Sequence, residues 1–224
     1  MDIDWIRRPS SPGGDDGTLN LCFNALDRHV VHGLADEVAL RVDRYTAERT
    51  ELTFARLLEE VGAFGGVLRA FGVGPGERVL SRLPMGTEGL VAALATTRLG
   101  GVHVISDPYA DPAELLATHR PAVVLADGSD ASLVEALAAA TDPPRATIWR
   151  GEVPDGHDLE WDVLMRAGRT DPAPTAEMPA TAEAFVLGDR TVTIAQALTD
   201  DGSPWPLDAI GTLLAGGTVL LSMP

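Results

Sequence analysis

The sequence contains no lysine, and all seventeen of its Lys and Arg residues are arginines. A GC-rich genome, whose codons favour arginine, is the simplest source of this bias. No lysine amine is present to form a Schiff base or to bind phosphate as a compact point charge. The thirty-three acidic residues give a formal net charge of −16. Because nucleic acids and anionic membranes are bound through clustered cations, this charge argues against both as partners.

Cysteine and long apolar segments are equally scarce. Cys22 is the single cysteine, so an intramolecular disulfide is excluded and a reducing compartment is favoured. The longest apolar stretches, such as residues 89–96, fall short of a membrane span. Residues 1–21 lack the apolar core of a signal peptide. We therefore expect a soluble, cytoplasmic protein that does not insert into a membrane.

Strand and helix patterns alternate through the middle of the chain. Short strands are predicted at 78–82, 102–106, 122–126 and 146–149, and helices at 87–99, 112–119 and 131–140. Such alternation is typical of right-handed βαβ units. It predicts an α/β fold with a mainly parallel sheet and flanking helices. A strand pair at 37–41 and 51–54, a helix at 24–32 and a long helix at 54–71 come before it.

Changes in composition divide the chain into four parts. Residues 1–18 are polar and turn-forming towards their end, which predicts a flexible N-terminal tail. Residues 19–150 form the α/β domain. Residues 151–182 are a proline-rich connection, with one short helix predicted at 159–166. Residues 183–224 form a hairpin–helix–strand module, which we expect to pack on the same domain.

Six short blocks spread over most of the chain occur together in a known family. They are LNLCFNALDRH at 19–29, TFARL at 53–57, GVGPGERV at 72–79, PM at 84–85, RLGGVH at 98–103 and LLAGGTVL at 213–220. In this order they resemble the N-terminal part of AMP-forming acyl-CoA synthetases, an adenylate-forming, AMP-binding superfamily. Within it the acetyl- and propionyl-CoA synthetase branch is the most similar, with Arg56 standing in place of the family's Glu. The resemblance implies the α/β fold of the N-terminal subdomain, an AMP-forming acid–thiol ligase activity, and ATP and CoA as ligands.

The sequence departs from this family where the family binds phosphate. The family has the loop Y-T-S-G-T-T-G-x-P-K-G, whose backbone N–H groups and lysine hold the ATP phosphates. Residues 184–193 read AFVLGDRTVT instead. Alternation of Phe185, Leu187, Thr191 and Thr193 fits a plain hairpin, with Arg190 as a replacement phosphate ligand the alternative. We therefore expect no catalytic residue in this chain, and neither ATP nor CoA as a cofactor of the chain alone.

A second departure lies after the RLGGVH block. Acetyl-CoA synthetase-like proteins have F-G-G-F there, whose small residues leave room for ligand. Residues 107–110 read DPYA instead, which is bulkier and adds the charge of Asp107. The family's later adenine-binding and ribose-binding motifs and its C-terminal domain would lie beyond Pro224. The resemblance therefore describes a truncated member of the family.

The remaining polar candidates favour structural roles. His29 and His32 share a helix face, but a zinc site needs further ligands, so capping or solvation is the favoured role. His103 lies in a predicted strand and is interpreted as a core histidine, and Cys22 as a small buried hydrophobe. The pairs at 15–16 and 200–201 are interpreted as tail and turn charges. No metal site is predicted.

These observations predict a non-catalytic binding or partner protein built on an acyl-CoA synthetase-like scaffold. The alternative is a subunit of a split AMP-forming acyl-CoA ligase, completed by another chain. A third reading is an eroded gene product without a selected role. A protein partner or a homo-oligomer is expected to dock on the outer side of the 183–224 module, where uncovered apolar surface would remain.

Overall fold

The computed structural model describes residues 3–11, 14, 16–44, 49–107, 109–157, 159–199 and 204–223. Its strands are β1 (Thr18–Leu19), β2 (Val38–Arg44), β3 (Arg49–Thr53), β4 (Arg78–Ser81), β5 (Val102–Ile105), β6 (Val123–Asp127), β7 (Ala146–Arg150), β8 (Met178–Pro179), β9 (Glu183–Leu187), β10 (Arg190–Thr193) and β11 (Val219–Met223).

Helices cover these strands. They are α1 (Phe54–Ala70), α2 (Thr87–Arg98), α3 (Pro112–His119), α4 (Ala131–Ala139), α5 (Trp161–Gly168), α6 (Ile194–Thr199) and α7 (Leu207–Leu214). Two π-helical segments, Phe23–Asp27 and Val30–Leu34, lie between β1 and β2 and take the place of the helix predicted at 24–32. Gly33 has a φ of 94°, a left-handed conformation that glycine adopts without strain.

The main sheet of the described residues has six strands in the order β10-β9-β5-β4-β6-β7. Neighbouring strands are parallel throughout, except that β9 and β10 are antiparallel. The predicted α/β class and its mainly parallel sheet are therefore confirmed. Because β5 lies on one side of β4 and β6 on the other, the strand order reverses at β4. In open α/β sheets, ligands bind in the crevice at the carboxyl ends of the strands beside such a reversal.

Local sequence explains where the long helix α1 begins and what it buries. The Thr53 side chain accepts a hydrogen bond from the Arg56 N–H, which caps the helix start. Leu57, Phe64 and Leu68 lie on the buried face, at helical spacing, as predicted. After α1, Gly72 has a φ of 80° and turns the chain towards β4.

A smaller sheet receives the end of the chain. Its order is β11-β2-β3, with β11 parallel to β2 and β2 antiparallel to β3. The 183–224 segment therefore contributes to both sheets, since β9 and β10 belong to the main one. The division of the chain into four parts, with 183–224 as a separate module, stays a prediction.

The two segments with unusual composition both contact the core. The short helix predicted in the proline-rich connection is found as α5, and its Trp161 ring stacks on Phe64 at a centroid distance of 4.0 Å. In the N-terminal segment, Ile3 and Trp5 pack against the core. Arg7 pairs with Thr18 as an isolated bridge. Asp16 accepts a hydrogen bond from the Ser10 N–H, whereas residues 15, 108 and 200–201 lie outside the described residues.

Candidate functional site

The β9–β10 segment, where the resemblance predicts a departure from the family's phosphate loop, is a tight hairpin. Leu187 pairs with Arg190 across a two-residue turn, and Gly188 in that turn has a φ of 56°. The hairpin predicted from the alternation is therefore confirmed. Phe185 pairs with Val192, and both are fully buried. The backbone of β9 and β10 is therefore used for pairing within the sheet.

The carboxyl ends of the strands beside the reversal at β4 form an open cleft. It lies beyond the ends of β4 and β6, which are adjacent and parallel. Because β4 leads to β5 on one side and β6 leads to β7 on the other, the loops that leave them diverge. The cleft has a volume of about 450 Å³, and six of the eight described residues that line it have polar or charged side chains. Its lining residues are Arg82, Leu83, Pro84, Ser106, Asp127, Ser129, Asp130 and Ser132. We call it the switch-point cleft.

A largely buried ion pair holds the loops around this cleft. Arg82 Nε lies 2.5 Å from Asp130 Oδ2, and the two side chains are only 6% and 15% exposed. Arg82 Nη1 also donates to the Ala110 carbonyl at 3.3 Å. The pair thus connects the segments that follow β4, β5 and β6. Burial would raise the pKa of Asp130, but hydrogen bonds from Arg82, Ser132 and the Leu133 N–H lower it overall.

A second ion pair lies on the far side of the cleft, on β6 and β7. Arg150 Nη2 is 2.7 Å from Asp127 Oδ2, and Arg150 Nη1 is 3.8 Å from Glu88. The other Asp127 oxygen accepts hydrogen bonds from the N–H and hydroxyl of Ser129. Burial would raise the pKa of Asp127, but the hydrogen bonds from Arg150 and Ser129 lower it. Both carboxylates are therefore ionised at neutral pH.

Ser106 leaves a hydrogen-bonding position open in the cleft. Its Oγ is buried and has no hydrogen-bond partner among the described residues. A hydroxyl can donate one hydrogen bond and accept two, and this one uses none of that capacity within the described part of the chain. Beside it, the Asp107 carboxylate accepts a hydrogen bond from the Tyr109 N–H, and the Tyr109 side chain is 96% exposed.

Sequence reasoning missed the residues of this cleft. A signal was present, because Asp127 ends the buried strand β6, Asp130 lies three positions later, and Arg82 directly follows β4. Parallel strands bring their carboxyl ends to one edge, so polar residues at these positions meet. What could not be read from the sequence was which strands are neighbours.

The LNLCFNALDRH block at 19–29 has a structural role. Asn20 Nδ2 donates to the backbone carbonyls of Thr97, Arg98 and Ala176 at 2.9–3.1 Å. Asp27 forms an ion pair with Arg98 at 2.8 Å. This block therefore fastens the N-terminal segment to the end of α2 and to the proline-rich connection.

The Cys22 thiol and the His103 imidazole are buried in the core. Burial raises the pKa of Cys22 to about 12, so the thiol is protonated and unreactive at neutral pH. Burial lowers the pKa of His103 to about 3, and the ring lies 3.2 Å from Thr96 Oγ1. Because the Thr96 hydroxyl donates to the Ala92 carbonyl, it accepts from His103 Nδ1–H. The predicted burial of Cys22 and His103 is confirmed.

The two histidines predicted on one helix face have different environments. His29 is buried, and its ring lies tilted against that of Phe54 at a centroid distance of 5.0 Å. It also interacts with the backbone at the end of α7. Burial lowers its pKa, as does the nearby Arg28. His32 is exposed. Within the described ranges, no group of three or more His, Cys, Asp or Glu side chains is placed to hold a metal ion.

Comparison with known proteins identifies the scaffold. The family model for AMP-binding enzymes matches residues 27–186, which is more than half of the chain. The chain belongs to the AMP-binding enzyme family. This agrees with the resemblance of the six sequence blocks and with the mainly parallel sheet.

Relatives of this AMP-binding family member are larger proteins. An uncharacterized protein of Pseudomonas aeruginosa is 34% identical over 203 residues, a match covering 77% of this chain and 32% of that protein. The acetyl-coenzyme A synthetase of Burkholderia mallei is 42% identical over 103 residues, or 46% of this chain and 16% of the synthetase. The crystal structure of an acyl-CoA synthetase from Brucella canis superposes with a TM-score of 0.71 at 20% identity. That match covers 96% of this chain and 44% of the other, so the chain spans less than half the length of these relatives.

None of the helices in the described part of the chain is both long and apolar enough to cross a bilayer.

Proposed function

We propose that this chain is a non-catalytic binding or partner protein, which uses the AMP-binding scaffold without forming an acyl adenylate by itself. The β9–β10 hairpin carries this proposal. It occupies the place of the family's phosphate loop, but its turn consists of Gly188 and Asp189. A phosphate cradle needs several backbone N–H groups directed at one anion, supported by positive charge. The paired strands use this backbone for the sheet, and Asp189 adds negative charge.

The cations near the switch-point cleft support the same proposal. Arg82 and Arg150 each face a carboxylate, from Asp130 and Asp127 respectively. The overall charge of −16 further disfavours a polyphosphate. A small ligand bound in this cleft would therefore present neutral or cationic groups to the lining carboxylates. We also propose a cytoplasmic location, in line with the single buried cysteine.

Acyl-dependent exchange of labelled pyrophosphate into ATP tests the loss of adenylation directly. The purified chain is assayed with acetate, propionate and longer carboxylic acids, next to the Burkholderia mallei acetyl-coenzyme A synthetase as the active control. We expect no exchange above background from the chain alone. Exchange that requires both acid and chain would show that the proposal is wrong. In that case Arg190→Ala would show whether Arg190 replaces the missing lysine.

A second candidate function is a subunit of a split AMP-forming acyl-CoA ligase. The observation that favours it is length, since the chain spans only 44% of the Brucella canis acyl-CoA synthetase. Another chain would then supply the phosphate loop and the catalytic lysine. The test is the same exchange assay on the chain purified from its source cell with whatever protein accompanies it. Exchange by such a complex, and none by the isolated chain, would favour the split ligase over the non-catalytic protein.

A further inference from the structure

A pocket beside the first half of α1 shares no residue with the switch-point cleft. It has a volume of about 620 Å³ and lies between α1, the end of α2 and the proline-rich connection. We call it the α1 pocket. Its apolar lining residues are Val30, Ala55, Leu58, Gly62, Pro172 and Ala173. Pockets of this size with a mainly apolar lining are typical of small-molecule sites.

Backbone contacts hold the floor of the α1 pocket. The Ala173 N–H donates to the Gly62 carbonyl at 2.8 Å, which fastens the proline-rich connection to α1. Arg98 Nε donates to the Ala173 carbonyl at 2.9 Å, which fastens the end of α2 to the same place. The three parts of the pocket are therefore joined by hydrogen bonds of the chain itself. A ligand that enters does not have to order them, and this favours binding.

One nitrogen of the Arg98 guanidinium has no partner within the chain. The side chain is only 11% exposed, and it lines the pocket. Nε binds the Ala173 carbonyl, and Nη1 contacts Cys22 and both oxygens of Asp27. For Nη2 no hydrogen bond is found within the described part of the chain. Since Nη2 is also not fully enclosed by protein, an acceptor bound in the pocket can reach it.

The charges around the pocket are already balanced. Each of its three arginines contacts a carboxylate, in the pairs Arg98–Asp27, Arg169–Glu60 and Arg56–Glu59. A charged ligand would therefore bring an uncompensated charge into mainly apolar surroundings, which is costly. A carboxylate ligand could not form a two-pronged contact either, because Nε and Nη1 of Arg98 are occupied. The net charge of −16 further disfavours an anion.

We propose that the α1 pocket binds a neutral, mainly apolar small molecule whose carbonyl oxygen accepts a hydrogen bond from Arg98 Nη2. Ketones, esters and tertiary amides share this chemistry. Their hydrocarbon part is buried against the apolar lining, and their oxygen meets the one donor that the chain leaves unused. The proposal rests on the proposed role as a binding protein, and it names a ligand class and a site apart from the switch-point cleft.

Three probes of nearly equal size separate charge from shape. Benzylacetone is neutral and has a carbonyl, hydrocinnamate is its carboxylate counterpart, and phenylpropylammonium is a cation without an acceptor. Each is titrated into the isotope-labelled full chain up to about 10 mM, which suits the affinity of so small a ligand. We expect benzylacetone to shift the amide NMR signals of Gly62 and Ala173 and the guanidinium signals of Arg98 in a saturable way. Its affinity should exceed that of both charged probes at least about tenfold.

Substitutions that leave Arg98 in place test the location. Ala55→Phe fills part of the pocket, and Leu58→Gln makes its wall polar at similar size, so each should weaken benzylacetone binding at least about tenfold. Val163→Phe is the matched control, since Val163 is 46% exposed on α5 and does not line the pocket. It should bind benzylacetone like wild type. Circular dichroism of each variant verifies folding.

Three outcomes would overturn the proposal. One is the absence of a saturable shift with benzylacetone, and another is binding of either charged probe as tightly as benzylacetone. The third is a pair of folded variants, Ala55→Phe and Leu58→Gln, that bind benzylacetone as tightly as Val163→Phe does. Pyrophosphate exchange is measured without these probes, so the failure of this proposal is distinguishable from a failure of the proposed loss of adenylation.

Discussion

Arg98 and Asp27 form a largely buried ion pair that joins two of the sequence blocks shared with acyl-CoA synthetases. Arg98 Nη1 lies 2.8 Å and 3.1 Å from the two Asp27 oxygens, and the side chains are 11% and 15% exposed. Arg98 Nε also donates to the Ala173 carbonyl at 2.9 Å. The two residues are separated by 71 positions in the chain. The pair therefore stabilises the tertiary arrangement of the scaffold.

Breaking this pair should destabilise the fold strongly. Removing one partner of a buried ion pair typically costs about 3 to 5 kcal/mol, because it leaves an uncompensated buried charge. We expect losses of this size for Arg98→Met and for Asp27→Leu, measured by urea unfolding. The double variant should lose less than the sum of the two single losses. Arg56→Ala, which removes an exposed pair with Glu59, should have little effect. Single losses no larger than that of Arg56→Ala would contradict the structural role.

The amide of Asn20 should be similarly important for stability. Asn20→Ala leaves the carbonyls of Thr97, Arg98 and Ala176 without this donor, and each unsatisfied buried group costs about 1 to 3 kcal/mol. We expect the free energy of unfolding to fall by about 2 kcal/mol or more. Gln196→Ala is a suitable comparison, since it removes an exposed side-chain hydrogen bond that water can replace. Equal losses for the two variants would argue against this role of Asn20.

The burial of His103 predicts a specific pH dependence of stability. Its folded-state pKa of about 3 lies below the unfolded value of about 6.5, so the unfolded chain binds the extra proton. Stability from this group is complete above pH 6.5 and is lost as the pH falls from there towards 3. At pH 5 the loss is about 2 kcal/mol. Thermal unfolding followed from pH 7.5 to 5 should therefore show a smaller decrease for His103→Gln than for wild type. His32→Gln, at an exposed position, should retain the wild-type slope, and a His103→Gln slope equal to it would refute the assignment.

The carboxylates of the switch-point cleft should control stability at lower pH. The pKa of Asp130 is lowered in the folded state, so its contribution is present above the unfolded value of about 3.9 and disappears as the pH falls through the lower folded value. Asp130→Asn removes the charge that faces Arg82. We expect this variant to be less stable than wild type at pH 7 and to lose less stability between pH 5 and 2.5. Parallel curves over that interval would mean that the Arg82–Asp130 pair does not persist in solution.

The turn between β9 and β10 provides a test of backbone conformation. Gly188 has a φ of 56°, and a Cβ added there would meet nothing within 4 Å. Only the left-handed backbone therefore opposes substitution. Gly188→Ala should cost about 1 to 2 kcal/mol of unfolding free energy. Gly188→Asn should cost less, since asparagine tolerates this conformation in tight hairpin turns. Equal costs for the two variants would indicate a different turn geometry.

Much of the fold could be predicted because its signals are local. The alternation of strands and helices and the apolar face of α1 depend on residues a few positions apart, and these predictions were confirmed. Helix α6 and the β1–β8 pair were missed. Strands β1 and β8 have two residues each, which is too few to show periodicity. They pair through residues that are far apart in the chain, such as Leu19 and Met178. The spacing of the residues around Gly33 likewise does not indicate that this segment forms a π-helix.

The sequence by itself determined the α/β class and the β9–β10 hairpin, because these depend on residue identity and short-range spacing. Only the tertiary structure decided that β9 and β11, both in the last part of the chain, join different sheets. It alone brought Arg82 to Asp130 and Arg98 to Asp27. The physical reason is that strand order and ion pairing between distant residues depend on packing of the whole core, which no local pattern encodes.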